Sequence, residues 1–333
     1  MTSGGARTHR SGARTHRSGA RTLNALVYHP DEAERYAALV HPSRGRVTLH
    51  VASKPDDAAP VMSEIDILYA WKFPPALYAR ATRLTWLQAM AAGVEWALVP
   101  ELPRAVTLTR APGIFGPWIA EYALGWMLWV TQRMAHYLGA QHERRWLGDV
   151  MPDRLRGKTL TIVGLGDVGR TIARSAAALS MRVVGVSRSG RRVAGVDRVT
   201  RLAGLSRALS DADFVVLTVP LTDATRGLIG ARELRAMRPS AWLLNVARGA
   251  VVDETAIAEA LGARRIAVAV LDVFREEPLP LDHLFWRLPN VVITPHISGP
   301  STPDEIAPIF NDNLARFLQG RPLRHVVDRR RGY

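Results

Sequence analysis

The chain has 333 residues and a formal net charge of +14, and 47% of its residues are hydrophobic against 22% charged. This composition is typical of a soluble globular protein with about two domains. The absence of cysteine excludes disulfides, thiolate nucleophiles and zinc–thiolate sites, and no apolar run approaches the roughly 18 residues of a membrane helix. We therefore expect a cytoplasmic protein that needs neither a membrane nor a metal.

The positive charge is concentrated at the two ends of the chain. Residues 1–22 carry five arginines and no acid, and residues 321–333 carry five arginines against Asp328. The rest of the chain is only modestly positive and has no basic run along a helix, which argues against nucleic-acid binding. The repeat GARTHRS within residues 1–22 has almost no apolar content and predicts a disordered, Arg-rich tail.

From Leu23 onward, short apolar runs alternate with helical stretches. The first series has strand candidates at 23–28, 47–51, 66–70, 85–90 and 105–109, and a helix candidate at 31–40. A long helix candidate follows from Pro117 to Met134. In it Tyr122, Trp126 and Trp129 recur at helical spacing and predict a stripe in the core or at a subunit interface.

A second series of strands and helices follows the polar connection. Its strand candidates are 159–164, 182–186, 214–219, 242–246, 266–273 and 291–294, and its helix candidates are 167–180, 231–237 and 254–261. Apolar strands without alternation are what a parallel sheet covered on both faces requires. We therefore predict an α/β protein with two doubly wound α/β domains in series.

A glycine motif, GLGDVG, joins the first strand of the second series to its helix. In this context Gly164 permits a tight turn, Gly166 lets the backbone approach a pyrophosphate, and Gly169 allows close packing of helix and strand. The helix begins at Asp167. Its first residues, Asp167 and Val168, offer free N–H groups to phosphates, and the helix dipole favours negative charge at this end. The motif predicts a dinucleotide site.

The stretch VSRSG ends the next strand, where such folds normally carry an acid that binds the adenine ribose. This chain has Ser187, Arg188 and Ser189 instead. A guanidinium can bind a 2′-phosphate through two hydrogen bonds, and two hydroxyls can donate to it, which favours NADP(H) over NAD(H). A solvated loop arginine is the alternative, and NAD(H) stays possible.

Three further segments resemble the D-isomer-specific 2-hydroxyacid dehydrogenases, a family that includes glyoxylate/hydroxypyruvate reductases. They are VPLTDATRGLIGARELRAMRPSAWLLNVARGAVVDETAIAEAL (219–261), LDVFREEPLP (271–280) and NVVITPHISG (290–299). The resemblance extends over nearly all of 23–333 and is strongest from 157 to 299. It implies hydride transfer between NADP(H) and a small 2-keto or D-2-hydroxy acid, such as glyoxylate or hydroxypyruvate, in a homodimer.

The resemblance implies a catalytic set of three residues. Arg248 in VARG would hold the substrate carboxylate and polarise the keto oxygen. His296 in TPHISG would act as general acid and base, with Glu277 as its carboxylate partner. A nearby carboxylate favours the imidazolium form, which keeps a proton available near neutral pH.

Further contacts are implied on loops that follow strands. Asp272 in LDVF would anchor the nicotinamide carboxamide, and the loop AAGVE would receive the substrate carboxylate at the N–H groups of Gly93 and Val94. Glu95 in this loop departs from the family's aspartate. Additional cofactor contacts are implied at Pro220, Thr225, Ala247, His296 and Gly299.

The segment WKFP lies where the family often has a glycine-containing substrate loop. Trp71 and Lys72 are therefore candidates for shaping the substrate pocket, and a tryptophan packed in the core is the alternative. The resemblance also implies that a Rossmann-type cofactor domain, residues 117–299, is inserted into a flavodoxin-like substrate domain, residues 23–116 and 300–333. Two hinges would let the domains close around substrate.

Two alternatives from the same fold remain open at this point. A dinucleotide-sensing, co-repressor-like interaction protein would bind partners according to cofactor state with negligible turnover. A formate dehydrogenase would need no acid–base glutamate, so the set Arg248, Glu277 and His296 fits the hydroxyacid enzymes better.

Overall fold

A computed structural model describes residues 21–42 and 45–332. The predicted disordered tail, residues 1–22, lies outside the described residues except for Arg21 and Thr22. Across the described ranges, no helix is both long enough and apolar enough to cross a membrane.

The described residues form twelve strands and nine α-helices. The strands are β1 (Leu23–Tyr28), β2 (Val47–Ala52), β3 (Ile67–Ala70), β4 (Trp86–Ala89), β5 (Thr107–Thr109), β6 (Thr159–Val163), β7 (Arg182–Val186), β8 (Arg198–Thr200), β9 (Phe214–Leu217), β10 (Trp242–Asn245), β11 (Val268–Leu271) and β12 (Val291–Ile293). The helices are α1 (Ala33–Ala38), α2 (Pro55–Ala58), α3 (Phe115–Thr131), α4 (Met134–His142), α5 (Asp167–Ala178), α6 (Leu205–Ser210), α7 (Ala231–Ala236), α8 (Glu254–Gly262) and α9 (Pro303–Leu318).

The strands build two parallel sheets, which confirms the predicted α/β fold. The first sheet has the order β2-β1-β3-β4-β5 and the second β12-β11-β10-β9-β6-β7-β8. In the second sheet the order reverses between β6 and β9, and the loops on either side of such a switch point separate to form a crevice. Since the strands are parallel, the loops that follow β6, β7, β9, β10, β11 and β12 all lie at one edge of the sheet.

Continuous burial explains why the central strands form where the sequence predicts them. All four residues of β3, β4 and β9 are buried, as a parallel sheet covered on both faces requires. The edge strand β8 was not predicted, because its three residues are only half-buried and show no apolar run. The predicted helix 117–134 ends early at Thr131, because Arg133 adopts a left-handed φ of 57° and α4 begins after it.

The carboxyl-terminal helix α9 packs against the first sheet. The ring of Phe310 stacks on Tyr69 with a centroid distance of 4.1 Å and lies 5.3 Å from Trp86. Burying one such aromatic side chain stabilises the fold by about 2 kcal/mol. The buried Asn313 side chain also donates to Gln88 Oε1 at 3.0 Å. This packing supports the predicted return of the chain to the first sheet, and the domain boundaries near 116 and 300 stay a prediction.

Candidate active site

His296 and Glu277 form a hydrogen-bonded pair at the carboxyl edge of the second sheet. His296 Nδ1 lies 2.8 Å from Glu277 Oε2, and Glu277 Oε1 accepts the Phe274 N–H at 3.0 Å. His296 has a left-handed φ of 54°, and its N–H donates to the Asp272 carbonyl at 2.8 Å. A non-glycine residue in this backbone region is held there by its surroundings, so the imidazole is fixed at both backbone and ring.

The pKa of Glu277 lies below its ordinary value. Burial acts to raise it, but hydrogen bonds from His296 and from the Phe274 N–H, with the charges of His296 and Lys72, lower it by more. Glu277 therefore stays ionised near neutral pH and accepts the Nδ1 proton of His296. The other ring nitrogen, Nε2, is then the atom left to exchange a proton with a substrate.

The buried carboxylate of Asp272 holds the loop that carries His296. Its Oδ1 accepts from the Thr294 hydroxyl at 2.6 Å and from the Ile297 N–H at 2.9 Å, and its Oδ2 accepts from the Ser298 N–H at 3.0 Å. Asp272 is fully buried, so these bonds compensate its desolvation. The predicted contact with the nicotinamide carboxamide stays a prediction.

Tyr122 on α3 extends this network. Its hydroxyl lies 2.7 Å from Thr294 Oγ1, and burial raises the pKa of Tyr122 to about 12. Because the only hydroxyl proton of Thr294 goes to the Asp272 carboxylate, Tyr122 is the donor in this bond. One member of the predicted aromatic stripe therefore supports the His296 loop, while Trp126 and Trp129 are half-buried neighbours on the same helix.

Arg248 follows β10 and reaches across to the loop after β4. Its Nε donates to Glu95 Oε1 at 3.0 Å, its Nη2 to Glu95 Oε2 at 3.4 Å, and its Nη1 to the Ala247 carbonyl at 2.7 Å. A Cβ at Gly93 would lie 1.6 Å from Nη2, so any larger residue there would displace the guanidinium from its present position. The structure thus brings together two predicted substrate contacts, Arg248 and the loop of Gly93 and Val94.

The backbone beside Arg248 packs directly on the segment that leads to Glu277. A Cβ at Gly249 would lie 2.0 Å from the carbonyl carbon of Phe274, whose N–H donates to Glu277. Arg248, Glu277 and His296 therefore lie on neighbouring loops at one edge of the second sheet.

Trp71 and Lys72 face this edge from the first sheet. The Lys72 ammonium lies 5.5 Å from the centroid of the Trp71 ring, which stacks on His29 at 6.5 Å. Lys72 has a left-handed φ of 45°, and its charge is among those that lower the pKa of Glu277. The half-buried Trp71 is packed against His29, which agrees with the core alternative, and its part in shaping the substrate pocket stays a prediction.

The glycine loop after β6 has the shape that a dinucleotide needs. Gly164 has φ +111°, and a Cβ there would lie 2.9 Å from the Thr218 backbone. A Cβ at Gly169 would lie 2.0 Å from the Gly164 carbonyl, whereas the space beside Gly166 is open. Helix α5 begins after Gly166 without a side-chain cap, which leaves its first N–H groups, including those of Asp167 and Val168, for an anion. The residues present therefore fit a pyrophosphate.

The VSRSG stretch forms a tight turn after β7. The Ser187 hydroxyl accepts the Gly190 N–H at 3.1 Å, and the Ser189 hydroxyl accepts the Arg191 N–H at 3.3 Å. Each hydroxyl keeps its own proton to donate. Arg188 is exposed between them, and the sequence did not single out Arg201, whose Nε donates to the Ser189 carbonyl at 3.4 Å.

The other predicted cofactor contacts lie in loops at the same edge. Thr225 closes the loop after β9 by donating its hydroxyl to the Pro220 carbonyl at 2.6 Å. Ala247 is buried, and a Cβ at Gly299 would lie 2.9 Å from Ile119 on α3. Their contacts with a cofactor stay predictions.

Sequence reasoning missed three supporting roles. Glu95 was noted only as a departure from aspartate, and Tyr122 only as part of an aromatic stripe. Thr294 precedes Pro295 in the TPH motif, which was a signal for its position but not for its bond to Asp272. The partners of these side chains are far away in sequence, so no local pattern marks them.

Comparisons with known proteins agree with this geometry. A family model described as "D-isomer specific 2-hydroxyacid dehydrogenase, NAD binding domain" matches residues 124–298. Glyoxylate/hydroxypyruvate reductase A of Serratia proteamaculans is 30% identical over 319 residues, which are 93% of this chain and 100% of that protein.

Two solved structures are similar over nearly the whole chain. A D-isomer specific 2-hydroxyacid dehydrogenase family protein from Aeromonas salmonicida has a TM-score of 0.86 at 36% identity, covering 93% of this chain and 100% of its own. An NADPH-dependent glyoxylate/hydroxypyruvate reductase from Sinorhizobium meliloti, in complex with NADP and sulfate, has a TM-score of 0.84 at 31% identity, covering 94% and 100%.

Proposed function

This chain belongs to the D-isomer-specific 2-hydroxyacid dehydrogenase family, and we propose that it is an NADPH-preferring reductase of small 2-keto acids. Glyoxylate and hydroxypyruvate are the proposed substrates, and D-2-hydroxy acids the products. The observation that carries the proposal is the His296–Glu277 pair beside Arg248 on neighbouring loops of one sheet edge. The relative from Serratia proteamaculans and the structure from Sinorhizobium meliloti are named for the same two keto acids.

Arg248 and the Gly93–Val94 loop would bind the substrate carboxylate. Nε, Nη1 and Nη2 of Arg248 each make one bond within the protein, so one N–H remains on each terminal nitrogen. Two parallel N–H donors match the geometry of a carboxylate or of a carboxylate and its neighbouring keto oxygen. Binding at this point would orient the 2-carbon toward the cofactor crevice.

His296 would exchange the proton. Glu277 holds Nδ1, so Nε2 carries the proton that the keto oxygen takes during reduction and regains it during oxidation. The Asp272 network keeps the loop in place while the charge on the ring changes.

The dinucleotide would lie along the same edge, with its pyrophosphate on the glycine loop. When bound, the reduced nicotinamide supplies the hydride for the 2-carbon of the keto acid. Gly164, Gly166 and Gly169 would admit the backbone to the phosphates, and the N-terminus of α5 would face them.

The preference for NADPH rests on the Ser187–Ser189 turn. Both hydroxyls retain a proton to donate, Arg188 lies on this turn, and Arg201, which follows β8, donates to the Ser189 carbonyl of the turn. Arg188→Ala should raise KM for NADPH by about tenfold or more and change KM for NADH little, because NADH has no 2′-phosphate. Equal effects on both cofactors would remove Arg188 from the cofactor site.

Steady-state kinetics with a panel of 2-keto acids test the proposed activity. We expect oxidation of NADPH with glyoxylate and hydroxypyruvate, and a lower kcat/KM with NADH. Purified protein that oxidises neither cofactor with any member of the panel would overturn the proposal. Cofactor-dependent partner binding without turnover would instead favour the co-repressor-like alternative.

We also propose that the protein forms a homodimer through the surface that follows α3. Three large apolar side chains of this part of the chain are exposed: Leu138 on α4 by 47%, Trp146 by 97% and Met151 by 74%. Large apolar side chains exposed within one short stretch of chain favour an interaction site. Trp146→Asp should convert a dimer to a monomer in sedimentation velocity, and a wild-type monomer would overturn the assignment.

A further inference from the structure

The carboxylate of Glu95, on the loop after β4 of the first sheet, binds one edge of the Arg248 guanidinium. Glu95 engages Nε and Nη2, which form one edge of the planar group, with both of its oxygens. Both side chains are about one-third exposed, at 32% and 35%, so the pair is neither dry nor freely solvated. Two contacts between two planar groups fix the rotation of the guanidinium as well as its position.

The backbone on the same loop is shaped to admit this pair. At Gly93, a Cβ would lie 1.6 Å from Arg248 Nη2 and 2.8 Å from Glu95 Oε2, so the glycine leaves the space that the pair fills. Val94 between them is 1% exposed, which anchors the loop in the core of the first sheet. The loop that would receive the substrate carboxylate and the arginine that would grip it are therefore joined through Glu95.

We infer that Glu95 is a positioning residue for Arg248. It occupies the Nε–Nη2 edge, the Ala247 carbonyl takes one Nη1 proton, and the two remaining N–H groups, one on each terminal nitrogen, are presented to the substrate. The inference rests on the proposed function, since it gives Arg248 the role of carboxylate anchor. Without Glu95 the flexible guanidinium has no second partner to define its plane.

The alternative role for Glu95 is that of a competitor. A carboxylate already on Arg248 could compete with the carboxylate of the substrate, and its removal would then strengthen substrate binding. Positioning and competition predict opposite signs for the same substitution, which makes the inference testable. The count of donors favours positioning, because the substrate does not need the edge that Glu95 uses.

The test compares Glu95→Asp, Glu95→Gln and Glu95→Ala with wild type. Aspartate keeps the charge but is shorter by one methylene, glutamine keeps the length but only one acceptor, and alanine keeps neither. We expect kcat/KM for glyoxylate to fall in the order Glu, Asp, Gln, Ala, with a loss of about 10- to 100-fold for alanine. KM for NADPH should stay within about twofold, because the pair lies away from the glycine loop.

A matched control removes a different ion pair. Lys158 and Asp153 pair near the amino end of β6, at the edge of the sheet opposite the crevice. Asp153→Asn should leave kcat/KM for glyoxylate unchanged, so general loss of an ion pair cannot account for the effect at Glu95. Circular dichroism and thermal melting establish that each variant is folded.

Calorimetric binding of oxamate to the NADPH-loaded protein gives a readout that needs no turnover. Oxamate has the carboxylate and carbonyl of a 2-keto acid, and its affinity should fall at least about tenfold in Glu95→Gln. Tighter oxamate binding or a lower KM for glyoxylate in this variant would overturn the inference, and so would unchanged values. If wild type binds oxamate but turns over no keto acid, the proposed function fails while the binding series still decides the role of Glu95.

Discussion

Two carboxylates hold the two basic side chains of the candidate site, and they do so over different separations along the chain. Glu277 and His296 are 19 residues apart and belong to loops of one sheet, whereas Glu95 and Arg248 are 153 residues apart and belong to loops of different sheets. Both residues of the proposed acid–base pair therefore come from loops at one sheet edge. The proposed substrate anchor, Arg248, depends on how the loops of both sheets meet. We therefore expect substitutions in the Glu277–His296 pair mainly to slow proton transfer, and substitutions in the Glu95–Arg248 pair mainly to weaken substrate binding.

The largest effect is expected from a substitution in the Glu277–His296 pair. His296→Ala removes the group proposed to exchange the proton, and we expect kcat for the proposed glyoxylate reduction to fall by about 10²- to 10⁴-fold. The Kd for NADPH, measured by cofactor fluorescence, should be nearly unchanged because the glycine loop is untouched. Turnover close to wild type would remove His296 from its role.

The next largest effect is expected from a substitution that disturbs the Glu95–Arg248 pair. Gly93→Ala places a methyl group where Arg248 Nη2 lies, so the guanidinium must leave Glu95. We expect kcat/KM for glyoxylate to fall by about 10²-fold, mainly through KM. Gly262→Ala is the matched control, since a Cβ there meets nothing within 4 Å. If kcat/KM for glyoxylate is the same in both variants, the close approach of Gly93 to Arg248 does not contribute to activity.

How much of this could be predicted from sequence follows the same division. Glu277 and His296, which form the dyad of the candidate site, lie in sequence motifs, and the strands before them are continuous apolar runs. The sequence therefore predicted the family, the fold and these two residues as candidates. The family and the α/β fold are confirmed by the comparisons and the sheets. The Glu95–Arg248 contact was not accessible, because a single sequence carries no information on a pairing 153 residues apart. Tyr122 was hidden for the same reason.

Acid should weaken the dyad in a defined direction. The pKa of Glu277 is lower in the folded protein than in the unfolded chain. The ionised carboxylate therefore stabilises the fold fully at pH values above the ordinary glutamate pKa, and this stabilisation is lost as the pH falls through the folded pKa. Glu277→Gln should cost about 2 kcal/mol of unfolding free energy at neutral pH. Denaturant titrations between about pH 6 and pH 3 should show this gap closing as wild type loses stability. A gap that widens toward low pH would contradict the assigned shift.

The smallest effect concerns the support of the dyad from α3. Tyr122→Phe removes the bond to Thr294 and should cost about 1 kcal/mol of stability together with a few-fold loss of kcat. Tyr137→Phe removes a comparable bond, to the Val150 carbonyl at 2.6 Å, at a distance from the His296 loop. It should lower stability without lowering kcat. Equal kcat in the two variants would confine Tyr122 to a structural role.

The Lys72 ammonium has a consequence for how an anionic keto acid reaches the site. Arg248 is largely neutralised by Glu95, whereas Lys72 lies over an indole ring at the rim and extends its field to Glu277. Charges of this kind accelerate diffusional encounter, and mobile ions suppress the acceleration once the Debye length falls below about 10 Å. The association rate of glyoxylate should therefore decline with ionic strength, and Lys72→Met should flatten that decline while leaving the limiting rate at high salt nearly the same.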